Sequence, residues 1–176
     1  MQIDTKHYAL RSWRRQDAIS LLYLASDHDL ALATGWPALQ SLQQSRYIID
    51  ELLTSWGFFA ITIRETGSVI GCISILIGGA SNYEIGDNEG ELTFWLGKQY
   101  WGQHIMQEVI NGMLKFSFFE LKLDKVWCGC SSENIRSKKL QEKCGFTYQY
   151  SIPNARDLLG NVHTELVHSI VLQDIV

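Results

Sequence analysis

Apolar positions along the first third of the chain follow two periodicities, one typical of strands and one typical of helices. The segment from His7 to Trp13 alternates apolar and polar positions like a short strand, and Arg15 to Ala25 then follows helical spacing. A polar loop over residues 26–40 leads to a second predicted helix from Ser41 to about Ser55. That helix begins with the S-x-x-Q spacing of a capping box.

Three apolar, β-branched stretches follow and predict consecutive strands. They run from Phe58 to Arg64, from Val69 to Ile77 and from Glu91 to Leu96. The sequence Glu-Thr-Gly-Ser between the first two predicts a hairpin turn. The loop over residues 78–88 is polar and is expected on the surface. Together these stretches predict an antiparallel meander.

The second half of the chain alternates strands and helices. The clearest helix runs from Ile105 to Phe119, where apolar residues recur at steps of three and four. A buried strand from Val126 to Cys130 precedes a helix from Glu133 to Cys144, which Gly145 closes. The last two strands are predicted at Phe146–Ile152 and Glu165–Leu172. The predicted order is β-α-α-β-β-β-α-β-α-β-β, a mixed α/β fold.

Composition narrows the class of protein. A chain of 176 residues, 46% of them hydrophobic, is expected to form one domain over residues 1–176. A net charge of -4 argues against a nucleic-acid or anionic-membrane partner and favours a cationic or neutral substrate. No apolar run approaches the length of about 20 residues that spans a bilayer.

The four cysteines lie in apolar segments, and the N-terminal residues lack the apolar core of a signal peptide. We therefore expect reduced thiols and a cytoplasmic protein. Cys128 and Cys130 have no second pair of ligands at metal-binding spacing, so we expect no metal.

The turn before the long helix is the first candidate for chemistry. No P-loop, Rossmann, nucleophile-elbow or zinc-protease motif is found in the chain. The residues Gln99-Tyr100-Trp101-Gly102-Gln103-His104 instead join a strand to a helix N-terminus, which presents unpaired N–H groups to an anion. The alternative is an ordinary strand-to-helix turn that contains one glycine.

A polar stripe on the next helix is the second candidate. Asn134, Ser137 and Gln141 are spaced i, i+3 and i+7, so they lie on one helical face. This face either lines a cleft or is simply solvated.

These segments together resemble one protein family. Glu91-Leu-Thr-Phe-Trp-Leu, Gln99-Tyr-Trp-Gly-Gln-His-Ile-Met and Asn134-Ile-Arg-Ser-Lys-Lys-Leu-Gln-Glu-Lys-Cys-Gly-Phe146 resemble the Gcn5-related N-acetyltransferase (GNAT) superfamily. The opening LRSWRRQDAISLLYLASD and the Gly35-Trp36-Pro37 loop are similar to its RimJ/RimL-like branch, which acetylates ribosomal-protein N-termini. The resemblance implies a mostly antiparallel central sheet flanked by helices.

The resemblance also implies acetyl-CoA as co-substrate. The family's Q/R-x-x-G-x-G/A turn falls on Gln99 to His104, and with Ile105 it would bind the pyrophosphate through backbone N–H groups. Phe94, Trp95 and Leu96 match the strand that pairs with the pantetheine arm and diverges from the next strand, Val126 to Cys130. Asn134 matches the asparagine that bonds the cofactor near its thiol end.

Direct acetyl transfer requires a deprotonated amine and a proton for the departing thiolate. Alternation places Glu89, Glu91, Thr93 and Trp95 on one strand face, opposite the apolar face formed by Leu92, Phe94 and Leu96. Glu91 also matches a glutamate common in the family, so it is the first candidate for the base and Glu89 the second. The alternative is that both glutamates only make an exposed face soluble.

Ser137 is the candidate proton donor. Many family members have a tyrosine where this chain has Gln141, and the resemblance assigns the role to the N-x-x-S serine in the Rim-type branch. A serine bonded to a helical carbonyl is the alternative. Tyr148 is a weaker candidate for the donor, and Trp36 is expected to border the acceptor pocket.

These features predict an N-acetyltransferase whose preferred acceptor is a protein N-terminal α-amino group of the ribosomal type. A small amine such as a polyamine or aminosugar is the first alternative, and a catalytically silent acyl-CoA-binding sensor is the second. A homodimer is a candidate assembly. His104 departs from the family pattern. We place it in the first helical turn, with its imidazole either beside the pyrophosphate or turned to solvent.

Overall fold

The structure is a computed structural model that describes residues 1–174. The chain forms two compact units. The first comprises Met1–Ser74 and Phe94–Val109, and the second comprises Ile75–Thr93 and the chain from Ile110 onward. The expectation of a single domain stays a prediction.

Four strands of the first unit pair antiparallel in the order β1-β2-β3-β4. Their bounds are Gln2–Asp4 (β1), Tyr8–Arg11 (β2), Phe58–Ile63 (β3) and Val69–Ile77 (β4). Strands β2, β3 and β4 confirm the pattern-based predictions. Strand β1 is not predicted, because three residues are too few to show a period and they are held by pairing with β2.

Helices cover one part of this unit's sheet. They are α1 at Ala18–Ala25, α2 at His28–Thr34 and α3 at Leu42–Ile48, and α3 continues as a π-helical segment over Ile49–Leu53. Trp13, Leu21, Leu24 and Ile49 form a buried cluster with Ala60 of β3 and Cys72 of β4. Ser41 caps α3, since its side chain accepts from the N–H of Gln44, as the capping pattern predicts.

Helix α2 corrects the prediction of a loop over residues 26–40. The carboxylate of Asp27 accepts from the N–H of Leu30 at 2.9 Å, which caps the helix. Gly35 ends it in the left-handed conformation, with φ of 70°. The helix has only seven residues, too few for its apolar period to stand out among its polar neighbours.

The second unit is built on strands β5 to β8. Their bounds are Glu89–Leu96 (β5), Lys125–Ser131 (β6), Thr147–Arg156 (β7) and Val162–Val171 (β8). Strands β5 and β6 are parallel, and their register pairs Glu89–Glu91 with Lys125–Trp127. Strand β8 pairs antiparallel with β6 and with β7, so β6 continues beside β8 as far as Ser131. Antiparallel pairing thus predominates, which confirms the predicted fold class.

Two helices complete the fold. Helix α4 runs over Ile105–Lys115 and continues as a π-helical segment at Phe116–Glu120, and α5 runs over Ile135–Lys143. Helix α5 starts two residues later than predicted, because Asn134 is its N-cap. Gly145 has φ of 91°, as expected for the residue that closes the helix.

Candidate active site

The turn between β5 and α4 is held by hydrogen bonds within the first unit. The N–H of Gly97 donates to the carbonyl of Ile70 at 2.9 Å, and the indole N–H of Trp101 donates to the carbonyl of Leu96 at 2.9 Å. The side-chain amide of Gln103 donates to the carbonyl of Gln99 at 2.8 Å. These bonds hold the backbone of the turn in place.

The backbone of this turn suits an anion. Gly102 and His104 have φ of 74° and 60°, whereas Gln103 between them does not have a positive φ. Alternating conformations of this kind turn successive N–H groups toward one point, and the first N–H groups of α4 add to them. A Cβ on Gly102 would meet nothing within 4 Å, so the approach is open. The observed geometry fits a phosphate group.

His104 corrects the prediction that it lies in the first helical turn. Helix α4 begins at Ile105, and His104 precedes it in the left-handed region. Trp101 is still extended, with φ of -69° and ψ of 151°, so the chain changes direction within three residues. Left-handed residues at 102 and 104 accomplish this, and a side chain at either position is strained. The imidazole of His104 is exposed.

The predicted cofactor-binding strand lies at the end of β5. Leu96 is buried, Phe94 is half-buried, and Trp95 and Tyr100 pack against the buried cluster of the first unit. Strict alternation predicts one strand face that includes both Trp95 and Glu91. Because Trp95 packs against the buried cluster, it does not lie on an exposed face with Glu91. A Cβ on Gly71 would lie 2.3 Å from the carbonyl of Trp95, so only glycine allows this close approach.

Trp36, which is expected to border the acceptor pocket, lies just beyond α2. Its side chain is 47% exposed, which leaves an aromatic surface available to a ligand. Lys98 and Asp29 form an ion pair that joins the segment after β5 to the second residue of α2. Both side chains are half-exposed, so this pair orients more than it stabilises.

Glu91 is buried in the second unit and is already engaged by a loop. Its side chain accepts from the hydroxyl of Ser81 at 2.9 Å, from the N–H of Asn82 at 2.6 Å and from the amide of Asn82 at 3.0 Å. The residue is 4% exposed. These contacts make Glu91 the anchor of the loop, and its role as base stays a prediction.

Glu89 is also engaged. Its carboxylate accepts from the indole N–H of Trp127 at 2.6 Å and is half-buried. Lys125 lies over the same indole ring, 4.8 Å from its centre. Glu89 therefore orients Trp127, and its role as the second candidate for the base stays a prediction.

The predicted polar stripe on α5 forms one connected group. The carbonyl oxygen of the Asn134 side chain accepts from the N–H of Ser137 at 3.1 Å. The amide of Gln141 donates to the hydroxyl of Ser137 and to the carbonyl of Gly129, both at 3.2 Å. Gln141 is fully buried, so the stripe is not a solvated face.

The four cysteines are buried and reduced. Burial raises the pKa of Cys128 well above its ordinary value and raises the pKa of Cys130 to about 11. Hydrogen bonding from Ser137 and Gln141 opposes the shift at Cys130. A neutral thiol is a poor nucleophile, so these residues do not favour an acetyl-cysteine intermediate.

Three polar residues that the sequence analysis did not single out are joined by hydrogen bonds beside Gly129. The phenol of Tyr83 donates to Glu165 at 2.8 Å, and the ring of His163 lies 2.9 Å from the other oxygen of Glu165. His163 and Glu165 are two residues apart at the start of β8, a spacing that places them on one strand face. That spacing was the only signal of this group, since Tyr83 comes from a distant loop.

Comparisons with known proteins identify the family to which the chain belongs. The model of the acetyltransferase (GNAT) domain matches residues 8–147. The chain therefore belongs to the GNAT acetyltransferase family, as the sequence resemblance predicted. It is an acetyl-CoA-dependent N-acetyltransferase, and acetyl-CoA is its co-substrate.

Two curated relatives are similar in sequence. The uncharacterized N-acetyltransferase p20 of Bacillus licheniformis is 24% identical over 147 residues, which are 81% of this chain and 80% of that protein. YdaF of Bacillus subtilis, provisionally named a ribosomal N-acetyltransferase, is 27% identical over 61% of this chain and 55% of its own length.

Solved structures share the fold. A Vibrio cholerae protein provisionally described as a ribosomal-protein-serine acetyltransferase has a TM-score of 0.81 and 24% identity, covering 97% of each chain. The microcin C7 self-immunity acetyltransferase MccE, solved with acetyl-CoA and AMP, has a TM-score of 0.78 and 19% identity, covering 95% of this chain and 93% of that one. Spermidine N-acetyltransferase of Vibrio cholerae, solved with CoA and spermine, has a TM-score of 0.78 and 17% identity, covering 96% and 98%.

Two further observations concern the described part of the chain. Among residues 1–174, no group of three or more His, Cys, Asp or Glu side chains is placed to hold a metal ion. No helix within those residues is both long and apolar enough to cross a bilayer.

Proposed function

We propose that this enzyme acetylates the α-amino group of a protein N-terminus, of the ribosomal type. The names given to YdaF and to the Vibrio cholerae structure support this choice of acceptor. The RimJ/RimL-like segments of the sequence support it independently.

The acidic segment after β4 carries the proposal that the acceptor is a cationic amine. Residues 80–97 contain Glu84, Asp87, Glu89 and Glu91 but neither lysine nor arginine. Glu84 and Asp87 are exposed, and the two other carboxylates are held by the second unit's own donors. Uncompensated exposed carboxylates attract an ammonium group.

The turn from Gly102 to Ile105 would hold the pyrophosphate of acetyl-CoA, which supplies the acetyl group as a thioester. Gln99, Tyr100 and Trp101 shape this turn, and Asn134 would bond nearer the thiol end. The exposed ring of Trp36 would border the acceptor. We expect W36A to weaken acceptor binding without changing CoA binding.

Ser137 is the proposed proton donor to the departing thiolate. Its oxygen accepts from Gln141, so its own hydrogen can be donated to a sulfur atom. Ser137 also lies beside the sulfur of Cys130, where its hydrogen bonding favours a thiolate. The same hydroxyl is therefore suited to a developing negative charge on sulfur.

A serine-to-alanine pair tests this role. We expect S137A to lower kcat about 100-fold or more while CoA affinity is kept, because general acid catalysis contributes factors of that size. S132A, in the turn before α5, is the matched control and should retain wild-type kcat. Equal rates in both variants would remove Ser137 from the proposal.

Mass spectrometry decides the acceptor. The enzyme is incubated with acetyl-CoA and peptides that carry a free or a formylated N-terminus, each with one internal lysine. We expect acetylation of free N-termini only. Acetylation of lysine in the formylated peptide, or of no peptide, would refute the preferred acceptor.

A small amine is the second candidate acceptor, and the acidic segment suits it as well. The fold shared with spermidine N-acetyltransferase supports including spermidine in the same assay. Product found on spermidine alone would favour this candidate. CoA binding without transfer to any amine would favour the silent sensor.

A further inference from the structure

The pair formed by Tyr83 and Glu165 occupies the space that a side chain at position 129 would fill. A Cβ on Gly129 would lie 1.8 Å from the Tyr83 hydroxyl and 2.3 Å from Glu165 Oε1. Gly129 belongs to β6, and its carbonyl accepts from Gln141. The glycine thus brings the phenol and the carboxylate onto the strand that leads to Asn134 and Ser137.

A chain of hydrogen bonds fixes Tyr83 in this place. Glu91 accepts from the Ser81 hydroxyl at 2.9 Å, and that hydroxyl oxygen accepts from the N–H of Tyr83 at 2.9 Å. Burial and the charge of Glu165 raise the pKa of Tyr83 far above its ordinary value. The phenol therefore stays protonated and serves Glu165 as a permanent donor.

His163 binds the other carboxylate oxygen of Glu165. Its Nε2 lies 2.9 Å from Glu165 Oε2, and the side chains of His163 and Glu165 are 16% and 20% exposed. An ionised carboxylate can only accept, so Nε2 carries the hydrogen in this contact when the imidazole is neutral. That tautomer leaves Nδ1 as the basic atom.

Glu91 and Glu165 differ in how well each can take part in proton transfer. Glu91 is 4% exposed and accepts from Ser81 and Asn82, whereas Glu165 is 20% exposed and holds an imidazole that is 16% exposed. An imidazole changes charge in the neutral pH range. When one ring nitrogen is bonded to a carboxylate, that carboxylate stabilises the ring after the second nitrogen has accepted a proton. The pair of Glu165 and His163 is therefore better suited than Glu91 to accept a proton during turnover.

We infer that His163, oriented by Glu165, accepts the proton that the acceptor ammonium must lose before acetyl transfer. An N–H bond of the ammonium breaks, its electron pair stays on the nitrogen, and the proton binds Nδ1 of His163. The products are a neutral amine and an imidazolium that Glu165 stabilises. The imidazolium returns its proton to solvent after turnover. This inference rests on the proposed function, since it assigns the proton acceptor of that reaction.

Other titratable groups face this pair and enter its pH dependence. Glu165 acts electrostatically on Tyr83, Cys128 and Cys130, Glu91 acts on Tyr83 and Cys128, and His163 acts on Asp157. Lys138 of α5 also acts on Cys130. All of the thiols and the phenol stay neutral near pH 7, because burial raises their pKa values.

The test is the pH dependence of kcat/KM for the wild type, H163Q, E165Q and Y83F. E120Q, an exposed carboxylate on the same unit, is the matched control. We expect H163Q and E165Q to lose a factor of about 100 to 10,000 near neutral pH, the usual size of general base catalysis. Their rates should recover as the pH approaches the pKa of the acceptor amine, because free amine then needs no base. Y83F should lose less, since it only positions Glu165.

An acceptor with a weakly basic amine provides a second measurement. It is already neutral at pH 7, so H163Q and E165Q should acetylate it nearly as fast as the wild type. CoA titration and circular dichroism show whether each variant is folded, and E165Q keeps an oxygen that the Tyr83 phenol can reach. A loss that is the same at every pH and for both acceptors, or no loss at all, would overturn the inference.

The outcomes separate the two proposals. Turnover by the wild type with unchanged H163Q and E165Q refutes the assignment of the base and leaves the proposed function standing. No turnover by the wild type on any amine refutes the proposed function, and the inference falls with it.

Discussion

His104 carries a side chain at a backbone position that glycine adopts without strain, and H104G is therefore expected to stabilise the enzyme. Its φ is 60°, in the left-handed region. A non-glycine residue there costs about 1–2 kcal/mol relative to the right-handed region. Glycine removes that cost but gives back about 0.5–1 kcal/mol through the greater entropy of its unfolded chain. The net expectation is a gain of up to about 1.5 kcal/mol in the free energy of unfolding, centred on about 0.5–1 kcal/mol.

Urea denaturation and thermal melting measure this gain. For a chain of this size it corresponds to a rise of about 1–4 °C in Tm. H104A keeps the Cβ and the strain, so its stability should stay within about 0.5 kcal/mol of the wild type. G102A is the converse control. Gly102 has φ of 74° and open space around its Cβ position, so its loss of stability would report backbone strain without a steric clash.

The same variants decide what the imidazole contributes to binding. If it lies beside the pyrophosphate, CoA affinity of the wild type should rise as pH falls from about 8 to about 5.5, where an imidazole gains charge, and H104G should lack that rise. Equal pH dependence in both proteins would assign the ring to solvent. If H104G is no more stable than H104A, the left-handed backbone at this position does not carry the expected strain.

Three shorter predictions concern the second unit. G129A should destabilise the protein by about 1–3 kcal/mol, as overpacking does, and should lower activity because its Cβ would displace Tyr83 and Glu165; urea denaturation and an acetylation assay measure both. Burial lowers the pKa of His168, so the unfolded state binds more protons below its ordinary pKa of about 6.5. The free energy of unfolding should therefore fall as the pH drops below about 6.5. In thermal melting at several pH values, Tm of H168L should decline less steeply than Tm of the wild type. E91A should leave its three donors without an acceptor, and limited proteolysis should then cleave the loop after β4 faster.

Sequence periodicity was sufficient for most of the fold. Helix α4 and strand β4 begin where the patterns predict, because long amphipathic or β-branched segments carry many agreeing positions. Helix α2 was missed although Asp27 and Gly35 mark its ends, since two capping residues without a visible apolar period are also typical of a loop. Strand β1 depends on its partner, and pairing is not encoded in three residues.

The candidate site could be predicted only where it is local. The turn at Gly102 and the stripe on α5 depend on residues within a few positions of each other, so spacing was enough to find them. The bond between Tyr83 and Glu165 joins residues 82 positions apart. Nothing in either segment indicates the other, because the contact is created by the sheet and by a glycine on the strand between them.

The carboxylates of the second unit differ in the accessibility of their lone pairs, which residue type and strand face do not reveal. Glu91 has the right position in its strand, yet a proton acceptor needs an accessible lone pair, and its oxygens are occupied by the loop in a nearly solvent-free position. Glu165 has no matching motif, yet it holds a partly exposed imidazole. E91Q and E165Q should therefore fail in different ways. E91Q should lower Tm and lose activity by a constant factor at all pH values, whereas E165Q should keep its Tm and regain activity as the acceptor amine deprotonates. Identical pH profiles for the two variants would contradict this division of roles.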